Sequence, residues 1–406
     1  MAVDLELSDF QNMAREFAHS FAAEKIRPRA QEADRLERVP DDLLLEMKQI
    51  ADMMGGMGGG GGEAEENPFE KGSKRERQFN RLAVIGGEEF SWGDAGIMLT
   101  NPGPGLGGPP VMSTGTPEQK ERFLSIFKSP EPKWGAYATT EPGCGSDVSG
   151  IQTRVTKDGD YYVINGTKIF ITCGNLASWV VVFGTLDPSL GRAGHRALVV
   201  EKGTPGFIQG QKFHKMGLRA SDTAILTFDE CRVHKDNLLG GEELYENRGS
   251  GGFKVAMGTF DATRPLVAAA GIGIARASFE YTRDWIKEQY SLGRPIPRYT
   301  QIKEKLAEME RKLDSARLLA WRAAWMADVG QPNTKEASMA KAYAGTVSVQ
   351  VCSDCVDLMG DSGSVQDHPV EKWFRDIKVF DIFEGTGQVN RLVVARRMYE
   401  PFGIRV

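Results

Sequence analysis

Two short segments of the 406-residue chain place polar side chains beside glycine turns, an arrangement that can serve chemistry. Residues 137–148 read Tyr-Ala-Thr-Thr-Glu-Pro-Gly-Cys-Gly-Ser-Asp-Val, so that glycines expose backbone N–H groups close to the hydroxyls of Thr140 and Ser146. These donors suit an anionic or heteroaromatic ligand. A well-capped turn accounts for the same residues, and composition alone favours that turn.

The second segment, residues 383–388, reads Phe-Glu-Gly-Thr-Gly-Gln and sets one carboxylate, Glu384, between an apolar helix end and a glycine turn. A carboxylate in such a place could have a raised pKa and act as a general base. It could also cap the helix that follows. Taken alone, the segment favours the helix cap.

The cysteines and histidines show no metal-site spacing. Cys352 and Cys355 form a lone C-x-x-C in a helical region, without a second pair or suitably spaced histidines, which favours helix packing over zinc binding. The five histidines are dispersed along the chain. We therefore predict no metal. The odd, scattered set of five cysteines argues against a disulfide framework and for a reducing compartment.

Composition indicates a globular protein. Hydrophobic residues make up 41% and charged residues 26% of the chain, which is enough apolar material for a sizeable core. The formal net charge is −5, and no run of Lys and Arg forms a footprint for nucleic acid. No stretch is long and apolar enough to span a membrane, and the N-terminus is acidic where a targeting peptide would be basic. We expect a cytoplasmic protein that binds neither nucleic acid nor membrane.

The N-terminal third of the sequence has a helical pattern. Apolar residues recur from Phe10 to Ile26 at spacings of three to five, and helices are predicted at 78–90 and 117–127, the latter capped by Thr116. Between these helices, residues 101–110 are too rich in proline and glycine to form a continuous helix. The glycine run at 55–62 predicts a flexible surface loop rather than a binding site.

The middle of the chain has the short-strand pattern of a β unit. Residues 161–171 are β-branched and aromatic on both sides of Asn165 and Gly166, which predicts a hairpin with its turn at that dipeptide. Further strands are predicted at 179–183, 197–201 and 224–228.

The remainder of the chain is helical again. An apolar seam runs from Ile302 to Ala324 at spacings of three and four, and more helices are predicted at 334–359, at 370–380 and from 388 onward. The expected fold is α+β multidomain. It has a helical domain at 1–132, a β domain at 133–247 and a helical domain at 248–406.

Taken together, the segments around Thr140 and Glu384 resemble the flavin and catalytic signatures of the acyl-CoA dehydrogenase family. Three further stretches support the resemblance in family order, at residues 164–172, 216–223 and 260–265. The similarity covers nearly the whole chain. It implies a central β-barrel-like domain and a C-terminal four-helix bundle, and it implies FAD-dependent α,β-dehydrogenation of an acyl-CoA thioester.

The resemblance also implies residue roles. Glu384 would be the base that removes the α-proton while the β-hydrogen leaves as hydride to flavin N5, and its backbone N–H would donate to the thioester oxygen. An alternative family position for the base holds Thr263, which cannot act as a base at neutral pH. The implied FAD contacts are Tyr137, Thr139, Thr140, Ser146, Phe170, Thr172, Thr386 and Gln388. The implied substrate contacts are Ser146, Asp261, Arg264, Glu384 and Gly385. Asp261 and Arg264 could equally form an ordinary helix ion pair.

Three departures from the family pattern affect ligand binding. Residues 289–293 read Gln-Tyr-Ser-Leu-Gly where the family usually has Arg-x-Thr-Phe-Gly, which costs the pyrophosphate a guanidinium partner. Asp357 and Asp361 replace Gln and Gly near the adenosine half, placing acid beside a phosphate-bearing ligand. The ADP half of FAD should therefore be the weakly held end. The break at 101–110, where a helix usually floors the acyl pocket, suggests an acyl group other than a simple medium-length chain.

Three functions follow for comparison. The leading one is a dehydrogenase that passes electrons to an electron-transfer flavoprotein. The alternatives are an oxidase of the same fold and a weakly catalytic binding subunit of a hetero-oligomer, against which the intact Glu384 counts. The apolar seam from Ile302 to Ala324, with the family habit of sharing FAD sites between subunits, predicts a homodimer or homotetramer.

Overall fold

The computed structural model describes residues 5–53, 79–246, 251–291 and 299–403. The glycine run at 55–62 and Leu292 lie outside these ranges. In chain order the described residues form a helical region, a seven-stranded sheet and a second helical region. Within the described residues, no helix is both long and apolar enough to cross a membrane.

The N-terminal region is helical, and the side chains of Ser8 and Thr116 cap two of its helices. The helices are α1 (Asp9–Phe21), α2 (Ala30–Leu36), α3 (Asp41–Met53), α4 (Phe79–Met98), α5 (Gly108–Thr114) and α6 (Pro117–Leu124). Thr116 caps α6 as predicted, and Gln119 completes a capping box with it. Helix α4 extends past the predicted 78–90 and is interrupted at Asp94, whose backbone is extended.

The predicted helix break at 101–110 is confirmed, and the segment is held against the sheet. A short 3₁₀ turn (Gly105–Gly107) precedes α5, whose first turn contains two prolines. Trp134 Nε1 donates to the carbonyl of Thr100 at 2.8 Å. Gly103 exchanges backbone hydrogen bonds with residues 133 and 135, so it runs beside the first strand.

The sheet has the strand order β1-β4-β2-β3-β7-β6, with β5 paired to β4. Its strands are β1 (Trp134–Ala138), β2 (Arg154–Asp158), β3 (Tyr161–Thr172), β4 (Ala177–Thr185), β5 (His195–Glu201), β6 (Phe207–Lys212) and β7 (Thr223–His234). The pairing of β1 with β4 is parallel. Alternate residues of β4 face opposite sides: Val180 and Val182 join one buried cluster, whereas Trp179 and Val181 join another. The short helix α7 (Gly241–Glu246) follows the sheet.

The predicted hairpin turn at Asn165 and Gly166 is wrong. Both residues lie inside the continuous strand β3, where Ile164 pairs with Cys231 and Gly166 pairs with Phe228, so the dipeptide faces a bulge in β7. The Asn165 amide bonds both the backbone N–H and the carboxylate of Glu230. Gly166 has φ +153°, and a Cβ there would lie 2.6 Å from Thr153 Oγ1. The hairpin turn lies instead between β2 and β3, at residues 159–160.

Most of the C-terminal helices pack around one apolar cluster to which α4 also contributes. The C-terminal helices are α8 (Gly251–Ser291), α9 (Tyr299–Asp328), α10 (Thr334–Met359), α11 (Val370–Ile377) and α12 (Gly387–Tyr399). The predicted seam of α9 is buried from Met309 to Ala324. Helix α10 has the predicted bounds. Helix α11 ends earlier than predicted and passes into a 3₁₀ turn (Lys378–Asp381) that leads to Glu384.

A buried charge cluster joins the three regions next to this turn. Lys372 of α11 bonds Asp94 of α4 and lies 2.5 Å from the Asp376 carboxylate. The other oxygen of Asp376 accepts from the N–H of Leu218, in the loop before β7, at 2.5 Å. All three charged side chains are buried. The cluster therefore fixes α11, and with it the start of the segment that contains Glu384.

Candidate active site

Glu384 lies in a turn between the C-terminal helices. Its backbone is left-handed, with φ +52°, and the following Gly385 has φ +95°. The partly buried carboxylate accepts a hydrogen bond from Thr263 Oγ1 of α8 at 2.7 Å. The structure thus brings the two positions that the resemblance offers for a base into direct contact, one of them a carboxylate and the other a hydroxyl.

The residue that caps α12 is Thr386, whose Oγ1 accepts from the N–H of Val389 at 3.2 Å. The interpretation of Glu384 as the helix cap is therefore wrong, because the cap position is already filled by a neighbouring hydroxyl. Within the described residues, the backbone N–H of Glu384 makes no hydrogen bond. The N–H and the carboxylate oxygen that Thr263 does not contact are therefore available to a ligand.

Burial raises the pKa of Glu384, while the Thr263 hydroxyl and the cations Lys341 and Arg264 oppose the rise. Arg264 is buried on α8 and donates to Ser338 Oγ of α10 at 3.1 Å. Lys341 of α10 is 0% exposed and donates to the Gly385 carbonyl at 3.1 Å. Burial therefore favours the neutral form of the Glu384 carboxyl group, whereas the two neighbouring positive charges favour its ionised form.

Sequence reasoning missed Lys341, Ser338 and Asn390, which contact Gly385 or Arg264. Together with Thr263 and Glu384, these residues form the Glu384 cluster. Asn390 is buried on α12, and its Nδ2 donates to the Gly385 carbonyl at 2.7 Å. A signal for Lys341 was present: it lies in an apolar stripe of α10 with Ala337, Ala340 and Ala344, all buried. A lysine within such a stripe is costly without a partner, so it indicates a specific polar contact.

Tyr137 links the sheet to this cluster. Its ring contacts Phe183 of β4 and Phe260 of α8, with centroid separations of 4.9 and 5.9 Å. Its hydroxyl is buried without a hydrogen-bond partner in the described residues. Burial raises the pKa of Tyr137, the neighbouring Thr139 hydroxyl opposes part of the rise, and the negative charge of Glu384 adds to it. Tyr137 and Glu384, from the two signature segments, therefore face one site.

The loop after β1 is fixed by a buried ion pair that the sequence did not reveal. Lys168 of β3 is fully buried, and its Nζ donates to Glu141 at 2.7 Å and to the Thr139 carbonyl at 3.0 Å. Glu141 also accepts from the backbone N–H groups of residues 152 and 153. Burial lowers the pKa of Lys168 to about 8. The Thr140 carbonyl accepts from the N–H of Ile169 at 2.9 Å, so the loop is the well-bonded turn that its composition favours.

The other predicted site residues have different surroundings. Phe170 is 58% exposed, with φ +58°, and its ring packs on Phe213 at 4.7 Å. Thr172, at the end of β3, is partly exposed, and Ser146 and Gln388 are exposed. Within the described residues, Ser146, Phe170 and Gln388 make no side-chain hydrogen bond to the Glu384 cluster. The side chain of Asp261 lies outside the described part of the chain.

The residues around Tyr137 fit a flavin ring. The Tyr137 hydroxyl and Thr139 Oγ1 are buried without partners in the described structure, and Thr140 and Thr172 present further hydroxyls. A heteroaromatic ring with carbonyl and ring-nitrogen groups would satisfy such donors. At the positions where the resemblance implies the adenosine half, Asp357 and Asp361 are exposed carboxylates and Gln289 is uncharged, which fits a phosphate-bearing ligand less well.

Comparison with known proteins extends over the whole chain. The family models described as acyl-CoA dehydrogenase N-terminal, middle and C-terminal domains match residues 8–129, 136–231 and 250–399. A short-chain specific acyl-CoA dehydrogenase of Clostridium acetobutylicum is 34% identical, with 98% of this chain and 100% of the relative covered.

Two solved structures show the same similarity in three dimensions. Butyryl-CoA dehydrogenase from Megasphaera elsdenii is 34% identical with a TM-score of 0.85, covering 98% of this chain and 100% of that one. A chain from work on the electron transferring flavoprotein of Acidaminococcus fermentans and flavin-based electron bifurcation is 33% identical, also with a TM-score of 0.85. The match covers 98% of this chain and 99% of that chain.

Proposed function

The chain belongs to the acyl-CoA dehydrogenase family and is an FAD-dependent acyl-CoA dehydrogenase, and from this premise we propose that Glu384 is the base that removes the substrate α-proton. The matches confirm the predicted fold class, the acyl-CoA dehydrogenation activity and the FAD cofactor. The observation that carries the assignment is the partly buried carboxylate of Glu384, hydrogen-bonded to Thr263 and raised in pKa by burial.

The raised pKa helps proton abstraction. The α-hydrogen of a thioester is a weak acid, and a carboxylate whose pKa is moved upward by burial is a stronger base toward it. FAD, when bound, supplies the acceptor for the β-hydride. The free backbone N–H of Glu384 is suited to donate to the thioester oxygen as negative charge develops there. The same residue thus removes the proton and polarises the carbonyl.

The ligand contacts are proposed on the same basis. Tyr137, Thr139, Thr140, Ser146, Phe170, Thr172, Thr386 and Gln388 are assigned to FAD, and Ser146, Asp261, Arg264, Glu384 and Gly385 to the acyl-CoA. The orphaned Tyr137 and Thr139 hydroxyls support the first assignment. Burial of Arg264 beside Glu384 supports the second.

The acyl group is proposed to differ from a simple medium-length chain. The segment around Gly103 is bonded to β1 and does not form a continuous helix over the pocket. A short-chain enzyme and a butyryl-CoA dehydrogenase are similar along the full length, which favours short acyl groups for the first trials. A panel of acyl-CoA thioesters of graded size, scored by flavin bleaching, tests this choice.

Electron-transfer flavoprotein is proposed as the electron acceptor, supported by the similar chain from the Acidaminococcus fermentans work. A homodimer or homotetramer is proposed on the family's shared FAD sites, with a hetero-oligomer as the alternative. The domain limits 1–132, 133–247 and 248–406 and a cytoplasmic location are likewise proposals.

Replacement Glu384→Gln tests the base. We expect the variant to keep its FAD and its fold but to lose at least about 10²–10⁴-fold in the rate of anaerobic flavin bleaching by butyryl-CoA. Bleaching at the parental rate would show that Glu384 is not the base. Admitting air to the bleached parent separates the acceptors, because rapid return of the flavin colour without electron-transfer flavoprotein would indicate an oxidase.

A further inference from the structure

The carbonyl of Gly385 is held by two side chains from two different helices. Lys341 Nζ of α10 donates to it at 3.1 Å, and Asn390 Nδ2 of α12 donates at 2.7 Å. Asn390 Nδ2 also lies 3.1 Å from the Thr386 carbonyl. A single backbone oxygen next to the proposed base therefore ties the turn to both helices.

The two hydrogen bonds from Lys341 and Asn390 to the Gly385 carbonyl, named the Gly385 clamp below, hold the backbone in an unfavourable conformation. Glu384 is a non-glycine residue in the left-handed region, and the next residue also has positive φ. Such conformations persist only where surrounding structure enforces them, and they often occur at functional sites. A Cβ at Gly385 would lie 3.2 Å from Asn390 Nδ2 and 3.6 Å from Arg264, so the position is closely surrounded.

Besides its hydrogen bond, Lys341 contributes a buried positive charge. It is 0% exposed, and within the described residues Gly385 supplies its only hydrogen-bond acceptor. Burial lowers the pKa of Lys341 to about 8, while the negative charges of Glu384 and Asp381 favour its charged form. Holding an ammonium group in an apolar stripe is costly, so stability alone does not explain a lysine here.

The charged and polar groups around Glu384 and Lys341 come from four elements. Arg264 and the Thr263 hydroxyl belong to α8, and Lys341 belongs to α10. Asp381, in the 3₁₀ turn, faces Lys341, and Tyr137 of β1 contributes a neutral phenol. Lys341 is the cation that α10 contributes, and it also contacts the backbone of the turn that carries the base.

We propose that Lys341 and Asn390 are positioning residues for the dehydrogenation, acting through Glu384. Both fix the Gly385 carbonyl, so that the N–H and carboxylate of Glu384 face the substrate together. Lys341 additionally places a positive charge beside that carboxylate. This inference rests on the proposed role of Glu384 as the base.

The test compares holoenzyme variants by anaerobic rapid mixing with butyryl-CoA across about pH 6 to 9, a range chosen to contain the titration of a base whose pKa is raised. Lys341→Met removes charge and donor, Lys341→Gln keeps a donor without charge, and Asn390→Leu removes a donor and keeps the charge. Lys335→Met, at a partly exposed lysine of the same helix, is the matched control.

The variants should separate charge from geometry. Loss of the nearby cation raises the pKa of Glu384, so both Lys341 variants should move the acidic limb of the rate profile to higher pH. Asn390→Leu should lower the flavin-reduction rate about tenfold or more at every pH without moving that limb, as expected for a displaced catalytic group. Lys335→Met should match the parent in both.

Three outcomes overturn the inference. Two are an unmoved acidic limb in Lys341→Gln and parental rates in Asn390→Leu, each with full FAD content. The third is an equal shift of the limb in Lys335→Met. If Lys341→Met fails to fold, the Gln variant carries the charge test. Glu384→Gln is measured in parallel to show which proposal has failed. If Glu384→Gln stays active, the assignment of Glu384 as the base is wrong. If it is inactive while the Lys341 and Asn390 variants of the Gly385 clamp behave as the parent does, only their positioning roles are wrong.

Discussion

The carboxyl group of Glu384 is subject to opposing effects on its pKa. Burial favours the neutral carboxyl and so raises its pKa, whereas the Thr263 hydroxyl, Lys341 and Arg264 favour the carboxylate. The net direction is upward. A base made stronger in this way is also a group whose ionised form is disfavoured by folding, so the active site should carry a stability cost.

That cost has a defined pH dependence. A carboxyl whose pKa is higher in the folded than in the unfolded state binds more protons when folded, so its contribution to stability falls as the pH rises from the unfolded pKa through the folded pKa. We expect Glu384→Gln to raise the thermal unfolding midpoint of the FAD-loaded enzyme by a few degrees at neutral pH. The gain should vanish below the ordinary carboxyl pKa. Calorimetry at both pH values measures it, and an equal gain at both would contradict the assignment.

The family resemblance, rather than residue types, singles out Glu384 and Thr140. Residue types alone favour a helix cap at Glu384 and an ordinary turn around Thr140. The alanine stripe around Lys341 is a sequence signal for a buried polar contact, but Lys168 has no such signal, because a lysine in a strand is usually solvated and only the tertiary packing shows it to be buried. The ion pair of Lys168 with Glu141 joins residues 27 positions apart, a distance at which sequence pattern gives no pairing.

At the scale of elements, local signals predicted helix starts well and strand connections poorly. Thr116 and its capping box depend on neighbouring residues alone, so they were predictable. Asn165 and Gly166 are also a strong local turn signal, but their roles are set by Glu230 of β7 and by Thr153, which precedes β2. A bulge and a turn favour the same residue types, and only the pairing partner distinguishes them.

Gly107, in the turn before α5, offers a test of whether this segment affects the proposed acyl pocket. A Cβ at Gly107 would lie 2.5 Å from the Trp179 ring and 2.6 Å from the Ala136 carbonyl. We expect Gly107→Ala to destabilise the protein by about 1–3 kcal/mol, as overpacking does, and to change the relative rates across an acyl-CoA size series. Chemical denaturation and flavin bleaching measure the two effects.

Gly86→Ala is the matched control, because a Cβ there makes only ordinary contact with Phe90 inside helix α4. It should leave stability equal or slightly higher, since alanine favours helix over glycine. Unchanged stability and unchanged thioester preference in Gly107→Ala would show that the segment does not depend on its contact with β1.

In the whole molecule, the N-terminal helical region, the sheet region and the C-terminal helical region contact one another through buried charged side chains as well as through apolar faces. Lys372 binds Asp94 from the first helical region and Asp376 from its own helix, and Asp376 reaches the loop before β7. Buried ionic groups of this kind add little net stability but make wrong arrangements costly. The relative placement of the sheet and the C-terminal turn, on which Tyr137 and Glu384 depend, is therefore set by specific pairs.

The last prediction concerns how the whole FAD molecule is held. The ring side keeps the hydroxyls of Thr140 and Thr172, whereas Gln289, Asp357 and Asp361 depart from the family pattern at the ADP side. A charge-assisted hydrogen bond contributes about 1.5–3 kcal/mol, so its loss corresponds to about a ten- to hundredfold weaker binding. We expect the purified protein to be partly free of FAD, and Gln289→Arg to tighten FAD binding by about tenfold or more.

Titration of the FAD-free protein, followed by flavin fluorescence, measures this affinity, with Gln331→Arg in an exposed loop as the control for added charge. The control should bind FAD as the parent does. Gln289 lies on α8, and the family pattern places this position against the FAD of a neighbouring subunit, so the gain should appear only in the assembled oligomer. Stoichiometric FAD that survives extensive dialysis of the parent, together with no gain from Gln289→Arg, would mean that another group already binds the pyrophosphate. In that case the search should turn to a residue supplied by a non-identical partner subunit.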